Sequence, residues 1–438
     1  MLEGSEVGAL DFSPIYPDDD SQPQSAFLLV ASIANLQEIE FSFGLAARQE
    51  AFERLRVEMR RIASRACVTE LESAGLVEAV IETGAGAGRS EYLVHRLASR
   101  IMSRPINSES GSFYAVPEIG AAALDQAFDN TDSAKARAYR QIERSCVKLQ
   151  QPWHLFRYRD DMKRASGLFE RIDRGEAMLV WQAIVSPAHQ TPILYFEALL
   201  RVAGEEGALL SCEADIRAVE RVGLAPELDR RLVSLVLDQL EADRDVRMGV
   251  NVSARSASLH RYGRNSAWRE LRSRLERDPD LARRLVIEIT ETAEFASLDE
   301  TAEFVSLMQH LGCQVAIDDF GAGRGSIIQY SALSADIIKI DGSFIQGARQ
   351  DERGFATFRH LVGLGRVLAP AVVVEGVETA DQAELAREIG VDWLQGYHFG
   401  RPSPTRALGV SPDARAIMAL RNFQDRVRAL SKPGGSAP

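Results

Sequence analysis

The C-terminal two thirds of the chain holds eight short apolar runs, each interrupted by a polar residue at or near one point. In order they read LVWQAIV with Gln182, ILYFEALLRV with Glu197, MGVNVSA with Asn251 and LVIEITE with Glu288. Then come QVAIDDF with Asp318 and Asp319, IIKID with Lys339, AVVVEGVE with Glu375, and WLQGY with Gln395. Core strands are ordinarily apolar throughout, because an unpaired buried carboxylate is costly to desolvate. One polar interruption per strand therefore predicts strands that converge on something charged. Acidic residues dominate the set, which points to a divalent metal.

Stretches with helical periodicity lie between most of these strands, such as DETAEFVSLMQHLG before QVAIDDF and TADQAELAREIG before VDWLQGY. Repeated alternation of strand and helix predicts a parallel sheet, and eight units predict a barrel. One link differs. Only SPAHQTP joins LVWQAIV to ILYFEALLRV, too short for a parallel crossover of about a dozen residues. Those two strands should pair as an antiparallel hairpin. The expected fold class is α/β: a modified (β/α)8, TIM-like barrel with one antiparallel strand, preceded by a smaller α/β domain. Its site should lie at the C-terminal ends of the parallel strands.

Composition divides the rest of the chain. Residues 1–25 are polar and acidic, with an Asp18-Asp19-Asp20 run, and read as a flexible leader. Residues 26–163 form a first domain. AFLLVASI, LVEAVIE and SFYAVPEIGAAAL read there as strands, LAARQEAFERLRVEMRRIASRA and DSAKARAYRQIERSCVKLQ as long helices. The barrel takes residues 164–410, and 411–438 form a last helix and a Gly/Ser/Pro tail.

At 438 residues the chain is long enough for two or three domains, each with a real core. A net charge of −12 argues against a general nucleic-acid binder, which would show a basic stripe. No apolar run approaches about 20 residues, so no membrane insertion is expected. The first residues lack the basic and apolar regions of a signal peptide. Cys67, Cys146, Cys212 and Cys313 are scattered without CxxC spacing, and read as reduced, buried thiols in a cytoplasmic protein. The seven histidines show no HxxxH pair, so a histidine-based zinc site is not expected.

Seven motifs follow one another along the predicted strands: EALLR from Glu197 to Arg201, NVS at Asn251, EITE from Glu288 to Glu291, DDFG from Asp318 to Gly321, KID at Lys339, EGVET at Glu375 and QGYHFGRP at Gln395. Each alone is a weak signal, but the ordered set is strong. The region resembles the EAL domain family, which hydrolyses cyclic di-GMP to the linear dinucleotide pGpG. Cleaving a phosphodiester needs an activated water and neutralisation of phosphoryl charge, which two metal ions roughly 3.5–4 Å apart can supply. Hard oxygen ligands favour Mg²⁺ or Mn²⁺. The resemblance implies that Glu197, Asn251, Glu288 and Asp318 hold one metal. Asp318 and Asp319 face the second, with Glu375 turned toward the metals' water. Lys339 stands beside the attacking water, as general base or electrostatic stabiliser. Gln395 completes the polar floor, and Arg201 suits a substrate phosphate. Gln182, Leu199 and Glu378 are further candidates for substrate contacts. The resemblance makes Glu291 an anchor for the loop after DDFG, and it implies a homodimer formed through this domain.

Each position also has a bland reading. Adjacent aspartates often cap a helix, a strand-end lysine reaches solvent, and an asparagine forms an Asx-turn. Only the shared-site reading accounts for all of them together. The chain departs from the family after DDFG, where Ala322-Gly323-Arg324-Gly325-Ser326 replaces a small residue, Gly, Tyr and two serines. An added glycine loosens this loop and an arginine adds charge beside the metals. Slow turnover, a changed dimer interface and no effect all stay open as consequences. Ala183 stands where proline is common, with little effect expected.

The order of elements in the first domain resembles a GGDEF domain, the diguanylate cyclase module. Its chemistry is missing, because the first strand reads Val30-Ala31-Ser32-Ile33-Ala34 where metal-binding aspartates are needed. The signature turn would fall near Glu72-Ser73-Ala74-Gly75-Leu76, which keeps neither the glycine pair nor the acidic pair. A degenerate, catalytically inactive domain is expected. The glycine-rich Gly84–Ser90 segment fits neither GxGxxG nor a Walker loop and reads as a flexible connection. Two functional classes remain: a cyclic di-GMP phosphodiesterase, and a non-catalytic receptor that signals through regulatory protein partners.

Overall fold

The structure, a computed structural model, describes residues 25–62, 68–71, 75–83, 88–124, 131–145, 152–187, 192–204, 208–258, 267–290, 297–323 and 325–406. The expected leader, most of Gly84–Ser90, the C-terminal helix and tail, Cys67, Cys146, Glu291 and Arg324 lie outside the described residues.

The N-terminal part begins with β1 (Ser25–Ile33), α1 (Leu36–Phe43) and α2 (Leu45–Ile62), followed by β2 (Val68–Leu71), β3 (Leu76–Thr83) and α3 (Gly88–Met102). The short hairpin β4 (Ile106–Ser108) and β5 (Gly111–Phe113) leads to β6 (Pro117–Leu124), α4 (Thr131–Ser145) and α5 (Pro152–Asp173). The run SFYAVPEIGAAAL, expected as one strand, is thus split between β5 and β6. Four strands pair in the order β2-β3-β1-β6, with apolar residues on both faces of β1. Leu29 and Ala31 pack into the large core, whereas Leu28 and Val30 pack with Ala134 and Ala138 of α4. A central strand covered on both faces has no polar alternation, which is why AFLLVASI reads as a continuous apolar run. The boundary expected at residue 163 falls inside α5, which continues unbroken to Asp173.

The remaining elements build the barrel. They are β7 (Ala177–Val185), β8 (Ile193–Ala203), β9 (Leu209–Ser211), α6 (Glu213–Arg221), α7 (Ala225–Ala242), β10 (Met248–Ser253), α8 (Ala254–Ser258), α9 (Ala267–Arg277), α10 (Pro279–Arg284) and β11 (Leu285–Thr290). After these come α11 (Leu298–Leu311), β12 (Gln314–Phe320), α12 (Ile327–Leu333), β13 (Ile337–Ile340), α13 (Gly342–Gly347), α14 (Glu352–Leu368), β14 (Ala371–Val374), α15 (Ala380–Ile389) and β15 (Trp393–Leu394). Strands β10 to β15 pair in parallel sequence, β15 pairs with β7, β7 with β8, and β8 closes on β10. Strand β7 is antiparallel to both neighbours. This is the reversed strand that the short SPAHQTP link demands. Strand β9 is an addition, a three-residue ribbon extending the far end of β8.

The barrel interior is stacked in two levels. The lower is apolar: Ile184, Tyr195, Val286, Ala316, Ile337 and Val373 form one buried cluster, with Trp393 packed against it. Two residues further along each parallel strand the polar level begins, at Glu197, Glu288, Asp318, Lys339, Glu375 and Gln395. On the reversed strand the polar residue, Gln182, precedes Ile184. Period-two alternation brings both levels to the same face. The apolar layer closes the barrel from below and leaves the polar layer facing the C-terminal ends of the parallel strands.

Candidate functional site

At the polar level one ammonium is surrounded by four carboxylates. Lys339 Nζ lies 2.5 Å from Glu288, 2.7 Å from Glu375, 2.9 Å from Asp318 and 3.3 Å from Glu197. Both Lys339 and Glu288 are fully buried. Glu197 is held at both oxygens: Asn251 Nδ2 donates to Oε1 at 2.8 Å, and Gln395 Nε2 donates to Oε2 at 2.5 Å. Gln395 Nε2 also reaches Gln182 Oε1 at 3.3 Å, and Gln182 donates to the Gly400 carbonyl at 3.1 Å. The structure therefore brings together Gln182, Glu197, Asn251, Glu288, Asp318, Lys339, Glu375 and Gln395, one from each strand.

Asp319 joins them through a local irregularity. Neighbouring strand residues point to opposite faces, so Asp318 and Asp319 should not share a site. The β12–β13 register breaks here: Ile317 pairs with Ile338, but Phe320 pairs with Ile340. Two aspartates thus stand opposite the single Lys339, the arrangement of a β-bulge. Asp319 sits in the left-handed region at φ 56°, followed by Gly321 at φ 95°. A non-glycine residue there is strained, and such strain collects at functional sites.

The electrostatics follow from crowding. Burial pushes Glu288 well above the usual carboxylate range; the Lys339 ammonium offsets this in part, while Glu197 and Asp318 add to it. Burial likewise raises Glu375, with the Asp318 charge adding to it. Asp318 is raised by burial against the pull of Lys339, and Asp319 is pushed up to about 6 by burial and the charge of Asp318. Glu197 goes the other way. Burial raises it, but Lys339 and the Gln395 and Asn251 amides outweigh that and hold it low. Lys339 loses charge preference to burial and regains it from Asp318, Glu197, Glu288 and Glu375, which together raise it well above the ordinary lysine value.

One cation against four buried carboxylates leaves an excess of negative charge, and the donor set fits divalent cations. Oxygens of Glu197, Glu288 and Asp318 lie within 4.8 Å of one another, as do those of Asp318, Asp319 and Glu375, so Asp318 is common to two groups. Glu288 Oε1, Asn251 Oδ1 and Gln395 Oε1 are buried acceptors without a hydrogen bond. Such orphans in a native interior call for an ion or ordered water, and all-oxygen donors suit Mg²⁺ or Mn²⁺.

Two contributors were not visible as candidates in the sequence. A β-carbon at Gly249 would stand 2.1 Å from Glu288 Oε1 and 2.5 Å from the Tyr195 ring. Only glycine leaves room for that carboxylate, and a glycine inside a strand was the available signal. Tyr195 lies beneath the cluster with its hydroxyl buried; burial, and next the Glu288 charge, push it well above the usual tyrosine range. Leu199 and Arg201 lie further along β8 on the side of Glu197, both half-buried, and the Arg201 guanidinium donates to the Leu200 carbonyl at 2.8 Å. Glu378 is exposed at the start of α15, its backbone N–H donating to the Gln382 side chain.

The EAL domain family model matches residues 165–402, which contain the whole barrel. The chain belongs to the EAL family. It is 29% identical over 215 residues to the cyclic di-GMP phosphodiesterase PdeF of Escherichia coli, covering 48% of this chain and 28% of that protein. It is 32% identical over 231 residues to the cyclic di-GMP phosphodiesterase NbdA of Pseudomonas aeruginosa, covering 50% and 29%. The chain thus spans under a third of the length of these two relatives. A crystal structure of an EAL domain protein from Listeria monocytogenes aligns at 27% identity with a TM-score of 0.47, covering 54% of this chain and 92% of that one. The EAL barrel accounts for every strand that carries a polar interruption. Among the described residues no helix is long and apolar enough to cross a membrane.

Proposed function

We propose that this EAL protein is a metal-dependent phosphodiesterase that hydrolyses cyclic di-GMP to linear pGpG. The observation that carries the reading is the pair of carboxylate groups sharing Asp318 around one buried ammonium. Bound divalent cations supply the charge that neutralises phosphoryl oxygens and lowers the pKa of water. Glu197, Asn251, Glu288 and Asp318 would hold one cation, and Asp318, Asp319 and Glu375 the other. Asn251 and Gln395 keep Glu197 ionised and fixed, so its carboxylate is pre-set rather than recruited. Lys339 tethers four carboxylates at one point and limits their mutual repulsion. Arg201, Leu199, Gln182 and Glu378 are the proposed substrate contacts, at and above the rim. The names of PdeF and NbdA support the choice of cyclic di-GMP as substrate.

The N-terminal sheet is proposed as a degenerate GGDEF-like domain without cyclase activity. Its support is the order of elements and the β2–β3 hairpin, which turns where the signature motif would fall. A homodimer through the EAL domain and regulatory protein partners complete the proposal. The altered loop at Gly325 favours a second reading, a receptor that binds the dinucleotide without cleaving it. Incubating the purified protein with cyclic di-GMP, with Mg²⁺ or Mn²⁺ and then with chelator, separates the two. Metal-dependent pGpG supports the enzyme; tight binding without product supports the receptor.

A further inference from the structure

Helix α7 carries a carboxylate that the proposed chemistry does not use. Asp229 is 6% exposed and faces the end of β10. Its hydrogen-bond partners are neutral donors from a single corner. Oδ2 accepts from the Ser253 N–H at 2.9 Å, the Ser253 hydroxyl at 2.7 Å and the Ser256 hydroxyl at 2.6 Å. Ser253 Oγ in turn accepts from the Ser256 N–H at 3.2 Å. Two residues earlier on the same helix, Glu227 shows the contrasting arrangement, paired with Arg230 and Arg231 at 2.7 Å each.

The corner begins two residues after Asn251, where β10 turns into α8. Asn251 has no slack in the site: its amide nitrogen fixes Glu197, and its Oδ1 is one of the orphaned buried acceptors. A shift of this corner would move the asparagine along its strand. Burying an anion without a counter-cation is costly, and burial raises the Asp229 carboxyl to about 6 against the pull of its three donors. A neutral acceptor would be cheaper to bury but would hold the serines less tightly, because hydrogen bonds to an ionised acceptor are about twice as strong.

We infer that Asp229 is a positioning residue that gathers Ser253 and Ser256, fixes the β10–α8 corner, and thereby sets how Asn251 presents its oxygen to a cation. The inference rests on the cation reading proposed above. The test titrates Mn²⁺ alone into the full chain by calorimetry, for wild type, Asp229→Asn, Ser256→Ala and Val236→Ala, with metal-free melting curves alongside. Val236 is buried on the same helix and controls for a merely loosened fold. Loss of partners that orient a ligand typically costs 10–100-fold in metal affinity. Asp229→Asn should weaken Mn²⁺ by about 10-fold or more and Ser256→Ala by less, while Val236→Ala lowers the Tm with Mn²⁺ affinity unchanged. Raised Mn²⁺ should restore the hydrolysis rate of Asp229→Asn toward that of wild type. If Asp229→Asn does not fold, Ser256→Ala against Val236→Ala decides. Equal Mn²⁺ affinity in wild type and the corner variants overturns the inference and leaves the cation reading standing. A wild type that takes up no Mn²⁺ overturns both.

Discussion

The N-terminal sheet and the barrel both bury carboxylates, but they neutralise them in different ways. In the N-terminal part each acid has its own partners: Glu78 on β3 meets Lys135 at 2.9 Å and the Tyr139 hydroxyl at 2.7 Å. Glu58 on α2 meets Arg61 at 2.7 Å and Arg100 at 3.2 Å. In the barrel, four carboxylates share Lys339. One-to-one pairing completes a structure, whereas a buried surplus of negative charge waits for a ligand. A buried acid is thus informative about function through the balance of charge around it, more than through its burial.

The sharpest way to break this comparison is to remove a member of the surplus. Glu197→Ala should abolish cyclic di-GMP hydrolysis, a loss of at least about two orders of magnitude, with an unchanged circular dichroism spectrum. A fully active Glu197→Ala protein would sink the cation assignment. Lys339→Met removes the single internal cation and strands four carboxylates. Breaking a buried ion pair costs about 3–5 kcal/mol, so the metal-free Tm should drop steeply, and added Mn²⁺ should recover part of it. An unchanged metal-free Tm would mean that the ammonium is not what holds the cluster together.

Cation binding itself should be visible as stability. A ligand at a hundred times its Kd stabilises by about 2.7 kcal/mol, so Mn²⁺ should raise the wild-type Tm, chelator should reverse it, and Glu197→Ala should show a smaller rise. An equal rise in Glu197→Ala would place the ion elsewhere. The smallest effect on catalysis is expected in the N-terminal sheet. Glu78→Gln leaves Lys135 underpaired and should cost about 1–3 kcal/mol in stability, with the hydrolysis rate per folded molecule unchanged. A large fall in rate would show that the two regions are not energetically separate.

Much of this molecule is legible in its sequence, for identifiable reasons. Alternation at period two is a local property, so Glu197, Asn251, Glu288, Asp318, Lys339, Glu375, Gln395 and Gln182 could be placed on one face of their strands before any fold was known. The length of SPAHQTP is also local, and it sufficed to reverse β7. Other features depend on what the chain meets after folding. Asp319 would point away from the site on a regular strand, and only the bulge against β13 brings it in. Gly249 is explained by a carboxylate that arrives from β11, and Asp229 by a corner more than twenty residues away. The sequence by itself determined which residues are polar, which strands carry them and in what order they come. Tertiary structure alone decided that one lysine faces four acids, because closing the barrel converts eight separate local patterns into a single shared charge balance.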